Sequence, residues 1–221
     1  MDIMQAIEER HSVRKYEEKK LPDDVVKSLQ AEIDKCNEEG GLHIQLVTDE
    51  PEAFGSVLVH YGRFKGVTNY IALIGKDGED LEELLGYYGE RLVILAQMLG
   101  LNTCWVAVTF KKVPSAYEVA PGERLAAVIS LGYGLNQGKP HKNKNIHTVS
   151  NISDDSPEWF KNGVKAAMLA PTAVNQQRFY LDMVGSGVRA TAGVGIYSKM
   201  DLGIVKYHFE VGSGKDSSIW L

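Results

Sequence analysis

A helix opened by proline and followed by a strand occurs twice in this chain of 221 residues. Pro157 follows Pro22 by 135 positions, and an acidic residue stands directly after each proline. The apolar positions that follow keep this offset: Val25, Leu29 and Ile33 match Phe160, Val164 and Met168, while Ile44 and Leu46 match Phe179 and Leu181. Spacing by four predicts a helix with one apolar face, and alternation predicts a strand. The pattern fits either an internal pseudo-dimer or two ordinary helix–strand units.

Between the two copies, the sequence predicts a long buried helix and further strands. Apolar residues at steps of four and three place the helix over 81–99, with Gly100 at its C-terminal end. These residues are Leu81, Leu85, Tyr88, Leu92, Leu95 and Leu99. The continuous apolar run 70–74 predicts a central strand, and 104–108 and 125–131 predict two more.

The segment 136–156 is different in character, because it is rich in Gly, Asn and Lys and shows no periodicity. We therefore expect three parts in the chain. The first half covers 1–135, a linker or arm covers 136–156, and the second half covers 157–221.

Charge and cysteine usage exclude several classes of protein. The formal net charge of −5 argues against a nucleic-acid binder, because phosphate contacts need clustered Lys and Arg. Cys36 and Cys104 stand outside any CxxC or Cys/His spacing, so neither a zinc module nor a disulfide framework is predicted. The longest apolar run, 92–101, is shorter than the ~20 residues of a membrane span, and the chain opens on an acidic stretch rather than a signal peptide. We expect a reduced cytoplasmic protein with no membrane segment and no metal.

Common nucleotide-binding and hydrolase motifs are missing from the sequence. The Gly-Tyr-Gly run at 132–134 lacks the third glycine of a dinucleotide fingerprint, and Asp216 stands where a P-loop needs Ser or Thr. No GxSxG occurs. Cys104 and His208 have no partners in sequence that would activate them, which favours structural roles for both. No constellation of acid, base and nucleophile is therefore predicted.

The two copies differ in the loop between helix and strand. The first copy has a plain loop at 36–42, whereas the second reads Ala-Pro-Thr-Ala-Val-Asn-Gln-Gln at 170–177. The hydroxyl of Thr172 and the amides of Asn175 and Gln177 can form several directional hydrogen bonds. They either read the edge of a planar heterocycle or support a turn that uses the same side chains for the backbone.

A second set of polar groups lies near the N-terminus. Arg10, Ser12 and Arg14 supply two cations and a hydroxyl within five residues, which is what a phosphate monoester requires. The other interpretation is a solvated basic turn. Lys142 and Lys144 either reach the same phosphate or form a solvated run of charge.

Four segments resemble motifs of the FMN-dependent nitroreductase family. Residues 3–16 resemble its opening helix and the Arg-x-Ser-x-Arg segment that follows. Residues 89–106, ending Leu-Gly-Leu-Asn-Thr-Cys-Trp-Val, look like its central helix and GLGTCW-type turn. Residues 125–133 resemble its strand with a Leu-Gly-Tyr turn. The loop at 170–177 is similar to its A-P-S-x-x-N-x-Q-P-W loop, with Arg178 and Phe179 in place of Pro and Trp.

This resemblance implies a nitroreductase-like α+β fold, with a central antiparallel or mixed sheet and flanking helices. It implies FMN as the cofactor, NADH or NADPH as the donor, and a nitroaromatic, quinone or similar small molecule as the acceptor. Because the flavin carries the chemistry, no catalytic side chain is expected. The cofactor-binding residues implied are Arg10, His11, Ser12, Arg14, Arg63, Lys65, Pro171, Thr172, Asn175 and Gln177.

The order of the motifs departs from the common family pattern, in which the A-P-S loop follows the second helix. Here the loop comes only after residue 170, which implies a branch in which one chain carries both halves of the usual dimer. We therefore expect a monomeric pseudo-dimer or a homodimer. The lost Pro-Trp pair leaves a second hypothesis open, a flavin-binding module that sequesters or regulates without turnover.

The expected roles of the basic residues follow from the same resemblance. Arg10 and Ser12 are expected at the FMN phosphate, and Arg14 near N1 and O2 of the ring, supported by Arg63 or Lys65. A second site would carry Asp154 and Asp155 in place of cations, and these would repel a phosphate. One FMN per chain is therefore expected, held between the two halves or, if the arm swaps, between two chains.

Overall fold

The computed structural model describes residues 1–55 and 63–221, so Tyr61 and Gly62, which directly precede the predicted site residue Arg63, lie outside the described residues. Within this range the chain forms two compact units. The hairpin unit comprises Met1–Glu9, Glu82–Arg91 and Pro140–Leu221. The sheet unit comprises Arg10–Leu81 and Leu92–Lys139.

The sheet unit is built on four strands: β1 (Gln45–Val47), β2 (Asn69–Lys76), β3 (Asn102–Val106) and β4 (Glu123–Gly132). They lie in the order β1-β2-β4-β3, and each neighbouring pair is antiparallel. Strand β2 lies inside the sheet, and each of its residues except Lys76 is buried. This confirms the predicted central strand. Helix α2 (Asp23–Gly40) precedes β1.

The hairpin unit combines helices with a two-stranded antiparallel sheet. Its elements are α1 (Ile3–Glu9), α4 (Glu158–Ala167), β5 (Phe179–Val184), β6 (Gly187–Ala192) and α5 (Ser198–Ser213), with short 3₁₀ turns at Ile146–Thr148, Ala173–Asn175 and Ser217–Ile219. The long helix α3 (Leu81–Met98) contributes residues to both units. Among the described residues, no helix is both long and apolar enough to cross a membrane.

The two repeated helices begin in the same way. Pro22 and Pro157 stand at the N-cap, with φ and ψ of −63° and 150° in one and −64° and 150° in the other. Both prolines therefore lie one position before the first helical turn. The sequence predicts that the first turn already includes Pro22. All the matched apolar residues of the two helices are buried: Val25, Leu29, Ile33, Phe160, Val164 and Met168. The local repeat is confirmed, and the internal pseudo-dimer stays a prediction.

Helix α3 is confirmed, but its buried surface is wider than the predicted stripe. Leu92 is buried as expected, and so are Val93, Ile94 and Ala96 beside it. Glu90, which the pattern places on a polar face, is also fully buried. Because the helix is covered on several sides, this buried carboxylate needs a hydrogen-bond partner. The partner is His208 of α5, whose Nε2 lies 2.9 Å from Glu90 Oε1.

The first strand is shorter than the sequence predicts. The alternation at 42–47 indicates a strand from Leu42, yet β1 covers only Gln45–Val47. The reason lies in Asn37 of α2, whose side-chain amide bonds both backbone groups of Ile44, accepting from its N–H at 2.7 Å and donating to its carbonyl at 2.9 Å. Leu42 retains a single bridge to Gly75.

Candidate functional site

The basic segment 10–16 runs as extended chain in the sheet unit, and backbone hydrogen bonds fix its course. Val13 N–H donates to Thr103 O at 2.9 Å, Tyr16 N–H to Lys65 O at 2.9 Å, and Glu17 N–H to Tyr133 O at 2.8 Å. The Tyr16 hydroxyl donates to Val13 O at 2.6 Å and lies 3.0 Å from Ser130 Oγ. The residues between these anchors therefore have a defined backbone from which to present their side chains.

Arg10, Ser12 and Arg14 lie on a segment that runs beside β3, where Ser12 forms a parallel bridge with Thr103. Burial raises the pKa of the Cys104 thiol on β3, and Arg14, a hydrogen bond from Ser12 and Arg10 act in the opposite direction. Arg10 is itself buried, whereas Arg14 is exposed. The structure therefore places the three predicted phosphate ligands on one short segment beside β3.

Lys65 pairs with this segment through the backbone. Its N–H donates to Arg14 O at 2.9 Å, and Lys15 forms a parallel bridge with it. The Arg14 guanidinium lies 5.9 Å from the centre of the Phe64 ring. Arg63 is exposed and takes a left-handed conformation at φ 58°. Lys65 is therefore placed beside Arg14, and Arg63 stands in the turn before it.

His11 is covered by the beginning of the arm, in the part that belongs to the sheet unit. Gly138 takes φ 73°, and a Cβ atom there would lie 2.7 Å from His11 Cβ and 3.1 Å from Ser12 O. Gln137 holds this stretch in place by accepting from Asn102 Nδ2 at 2.9 Å. The sequence analysis does not predict this role of Gly138. The only signal for it is a glycine within a polar stretch.

The loop at 170–177 lies in the hairpin unit and is a tight turn built from its own side chains. Thr172 Oγ1 accepts from Gln177 N–H at 3.0 Å. Val174, Asn175 and Gln177 have left-handed φ values of 46°, 56° and 43°. The turn interpretation therefore holds for Thr172, whose hydroxyl proton is still available to donate. Pro171 is half-buried at the start of the turn.

Lys142 and Lys144 of the arm form hydrogen bonds that fix this loop. The Lys142 carbonyl accepts from Asn175 Nδ2 and from Gln177 Nε2, both at 2.9 Å. Gln177 Nε2 also donates to Asn175 Oδ1 at 2.8 Å, while Gln177 Oε1 accepts from Lys144 N–H at 3.0 Å. Gln177 is only 3% exposed and both of its donors are used. Gln177 therefore holds the loop and the arm together, and its expected ring contact stays a prediction.

Asp201, in the first turn of α5, is a residue that sequence reasoning missed. It is 3% exposed and accepts from Ala173 N–H at 2.9 Å and from Gln176 Nε2 at 2.7 Å. Burial raises the pKa of its carboxyl to about 6, against these two hydrogen bonds, which lower it. An acidic residue in a first helical turn is common, so nothing in the sequence marked it as a clamp on the loop.

The predicted site residues thus fall into two sets, each assembled within its own unit. The phosphate set lies in the sheet unit: Arg10, His11, Ser12, Arg14, Arg63 and Lys65. The ring set lies in the hairpin unit: Pro171, Thr172, Asn175 and Gln177. Across residues 1–55 and 63–221, no group of His, Cys, Asp and Glu side chains could hold a metal ion.

A protein-family model described as "Putative TM nitroreductase" matches residues 2–213 of the chain. No curated protein matches the sequence. The match covers nearly the whole of both units and the arm that connects them.

Solved structures show the same fold. The tm1586 protein of Thermotoga maritima, a "putative nitroreductase", matches with a TM-score of 0.69 and 23% identity over 96% of this chain and 83% of that chain. A "putative nitroreductase" in complex with FMN from Desulfovibrio desulfuricans matches with a TM-score of 0.55 and 15% identity over 71% and 99%. NfrA1 nitroreductase from B. subtilis matches with a TM-score of 0.53 and 13% identity over 70% and 74%. The α+β fold predicted from the sequence is thereby confirmed.

Proposed function

The chain belongs to the nitroreductase family, and from that premise we propose that it is an FMN-dependent oxidoreductase. In this proposal NADH or NADPH gives up a hydride, which carries two electrons. A quinone takes these two electrons, the proton of the hydride and a second proton from water, and leaves as the hydroquinone. A nitroaromatic takes the same two electrons and two protons and leaves as the nitroso compound and water. The Desulfovibrio protein in complex with FMN supports the choice of cofactor, and a "putative NADH oxidase" of Clostridium acetobutylicum supports the choice of donor.

The observation that carries the proposal is the segment that bears Arg10, Ser12 and Arg14, whose backbone is fixed against β3 and Lys65. Two guanidinium groups and a hydroxyl match the charge and the acceptors of a phosphate monoester. Lys65, whose backbone pairs with Arg14, adds a further cation. This donor set fits the FMN phosphate, and Arg10 and Ser12 would hold it.

FMN, when bound, supplies the exchange of hydride and electrons between donor and acceptor. Arg14 is exposed beside Lys65 and would place positive charge near N1 and O2 of the ring. Thr172 would donate its hydroxyl proton to the ring edge, and Asn175 would contact the same edge. Gln177 and Asp201 keep the backbone of that loop in one conformation, since they bond the arm and the turn. Each residue thus binds or orients, and none transfers a proton.

A second candidate function is flavin binding without turnover. The observation that favours it is the loop itself, where Arg178 and Phe179 replace the family's Pro and Trp and where both donors of Gln177 are used internally. A loop with fewer free donors would hold the ring less specifically. Such a protein would sequester FMN or regulate in response to it.

The absorption spectrum of the purified protein separates these functions. A yellow protein that bleaches with NADH or NADPH under anaerobic conditions and recolours with menadione is the proposed oxidoreductase. A yellow protein that stays unchanged with both donors is a flavin-binding module. A protein that stays colourless after FMN is added and dialysed contradicts both. When the FMN affinities of Arg10→Ala and Arg14→Ala are compared with wild type, Arg189→Ala, at an exposed arginine of β6, is the control for nonspecific loss of charge.

A further inference from the structure

A short turn of the sheet unit, residues 134–138, lies directly against the phosphate segment, residues 10–14. At the end of this turn Gly138 takes φ 73°, and a Cβ atom there would lie 2.7 Å from His11 Cβ and 3.1 Å from Ser12 O. The backbone of the turn comes this close to the segment because glycine has no side chain. The turn therefore limits the space in which His11 and Ser12 lie.

The side chain of Asn102, at the start of β3, closes this turn. Its Oδ1 accepts from Gly134 N–H at 3.0 Å, and its Nδ2 donates to Gln137 Oε1 at 2.9 Å. Asn102 is only 4% exposed, so both ends of its amide need partners within the protein, and the turn supplies them. A Cβ atom on Gly134 would lie 2.5 Å from Asn102 Oδ1, so the turn packs closely on this side chain. One buried amide therefore fixes the turn at its first and fourth residues.

Asn102 stands next to the residue against which the phosphate segment itself is fixed. Its neighbour Thr103 forms a parallel bridge with Ser12, and Thr103 O accepts from Val13 N–H at 2.9 Å. Two adjacent residues of β3 thus have different partners, since Thr103 pairs with the segment and Asn102 bonds the turn that lies against it. Loss of the Asn102 amide would therefore release the turn and leave the pairing between β3 and the segment intact.

We propose that Asn102 is a positioning residue for the FMN phosphate, because it fixes the turn that confines His11 and Ser12. The inference rests on the proposed function, since it takes the phosphate segment to hold that phosphate. Riboflavin has the same ring and lacks the phosphate, so its binding does not depend on this confinement. Asn102 therefore contributes to the preference for FMN over riboflavin rather than to the binding of the ring.

The test uses Asn102→Ala and compares the dissociation constants of FMN and riboflavin, each measured by the quenching of flavin fluorescence. Loss of the two hydrogen bonds raises the FMN constant about tenfold or more, while the riboflavin constant stays within about twofold of wild type. Gln45→Ala is the matched control and leaves both constants unchanged. Gln45 of β1 also uses both atoms of its amide, donating to Glu118 O at 2.7 Å and accepting from Glu118 N–H at 2.9 Å.

Gly138→Ala tests the same confinement from the turn, and it keeps the test decisive if Asn102→Ala does not fold. A Cβ atom on Gly138 pushes against His11 and Ser12, so the FMN constant rises about fivefold or more while the riboflavin constant stays unchanged. Gly122→Ala is the control, since Gly122 has a similar φ of 81° and a Cβ there meets no atom within 4 Å. The two variants thus share the backbone strain and differ in the contact with the phosphate segment.

Three outcomes would overturn the inference. An FMN constant within about twofold of wild type in both variants would show that the turn does not position the phosphate segment. An equal rise of the FMN and riboflavin constants would show that Asn102 only stabilises the fold. A wild-type protein that binds FMN no more tightly than riboflavin, or binds neither, would contradict the phosphate assignment of the proposed function as well, and is recognised before any variant is made.

Discussion

Gly86 of α3 lies so close to the backbone of α5 that a Cβ atom on Gly86 would overlap the carbonyl oxygen of Met200. Gly203 of α5 stands in the same relation to the carbonyl oxygen of Glu83 on α3. Each helix thus supplies a glycine three positions after the carbonyl that it presents. The two helices are therefore in direct backbone contact at both positions.

We expect Gly203→Ala to lower the free energy of unfolding by about 3 kcal/mol or more. Alanine in a helix is worth ~1 kcal/mol over glycine, but a methyl group that overlaps a backbone carbonyl forces the two helices apart. Urea denaturation followed by circular dichroism measures the change. Gly78→Ala is the control, since a Cβ there meets no atom within 4 Å. Equal stability of the two variants would contradict the close helix contact.

We expect Glu90→Ala to lower the free energy of unfolding by about 3–5 kcal/mol, because it leaves a buried imidazole without its carboxylate. His208 Nε2 lies 2.9 Å from Glu90 Oε1, and His208 Nδ1 lies 3.1 Å from Ala166 O. Both side chains are fully buried. Thermal and urea unfolding of this variant are compared with those of Glu8→Ala, an exposed glutamate of α1. A loss below ~1 kcal/mol for Glu90→Ala would mean that solvent reaches the pair.

The sequence predicts the elements of this fold well where a local pattern of apolar residues defines them. The helices that follow Pro22 and Pro157 and the buried strand β2 are of this kind. It fails at Glu90, because a helical pattern shows one apolar face and cannot show that a second element will cover the opposite face. It also does not show the hydrogen bond from the Gln177 amide to the Lys142 carbonyl, because Lys142 lies 35 positions earlier in the chain.

Asp201 should make stability fall as the pH rises. Its pKa is about 6 in the folded protein, against an ordinary value of 3.8, so between these values the folded chain binds the proton more tightly than the unfolded chain. The free energy of unfolding therefore decreases between pH ~4 and ~6, by up to ~3 kcal/mol from this group. Asp201→Asn has no carboxyl group to titrate at this position. The free energy of unfolding of the variant should therefore rise relative to that of wild type between pH ~4 and ~6. Parallel profiles for the two proteins, measured by urea denaturation at several pH values, would contradict this prediction.

Arg10→Ala and Arg14→Ala should each weaken FMN binding by about 10- to 150-fold, the range for loss of one charge-assisted hydrogen bond. Both arginines lie on the segment that runs beside β3, so each loss removes one cation from the same set. Fluorescence quenching of free FMN on binding measures the affinity. Circular dichroism verifies the fold of Arg10→Ala, whose side chain is buried. Wild-type affinity in both variants would remove the phosphate assignment.

The number of flavins bound per chain separates the two copies of the repeat. No basic segment precedes Pro157, and Asp154 and Asp155 of the arm stand there instead, where like charge repels a phosphate. We therefore expect one FMN per chain, measured as flavin absorbance against protein mass. Two FMN per chain would contradict the assignment of a single phosphate set.

Asn175→Ala tests the ring set within the same measurement. Asn175 is exposed, and its side-chain amide makes two bonds, donating to Lys142 O and accepting from Gln177 Nε2. Because Gln177 keeps its other bonds to the arm, the fold should survive while flavin binding weakens. Gly40, the last residue of α2, stands 135 positions earlier and is its counterpart in the first copy. Gly40→Ala should leave FMN affinity unchanged, because the first copy has a plain loop at that place. If both variants weakened FMN equally, the flavin would not distinguish the two copies, and the ring assignment to the second copy would be wrong.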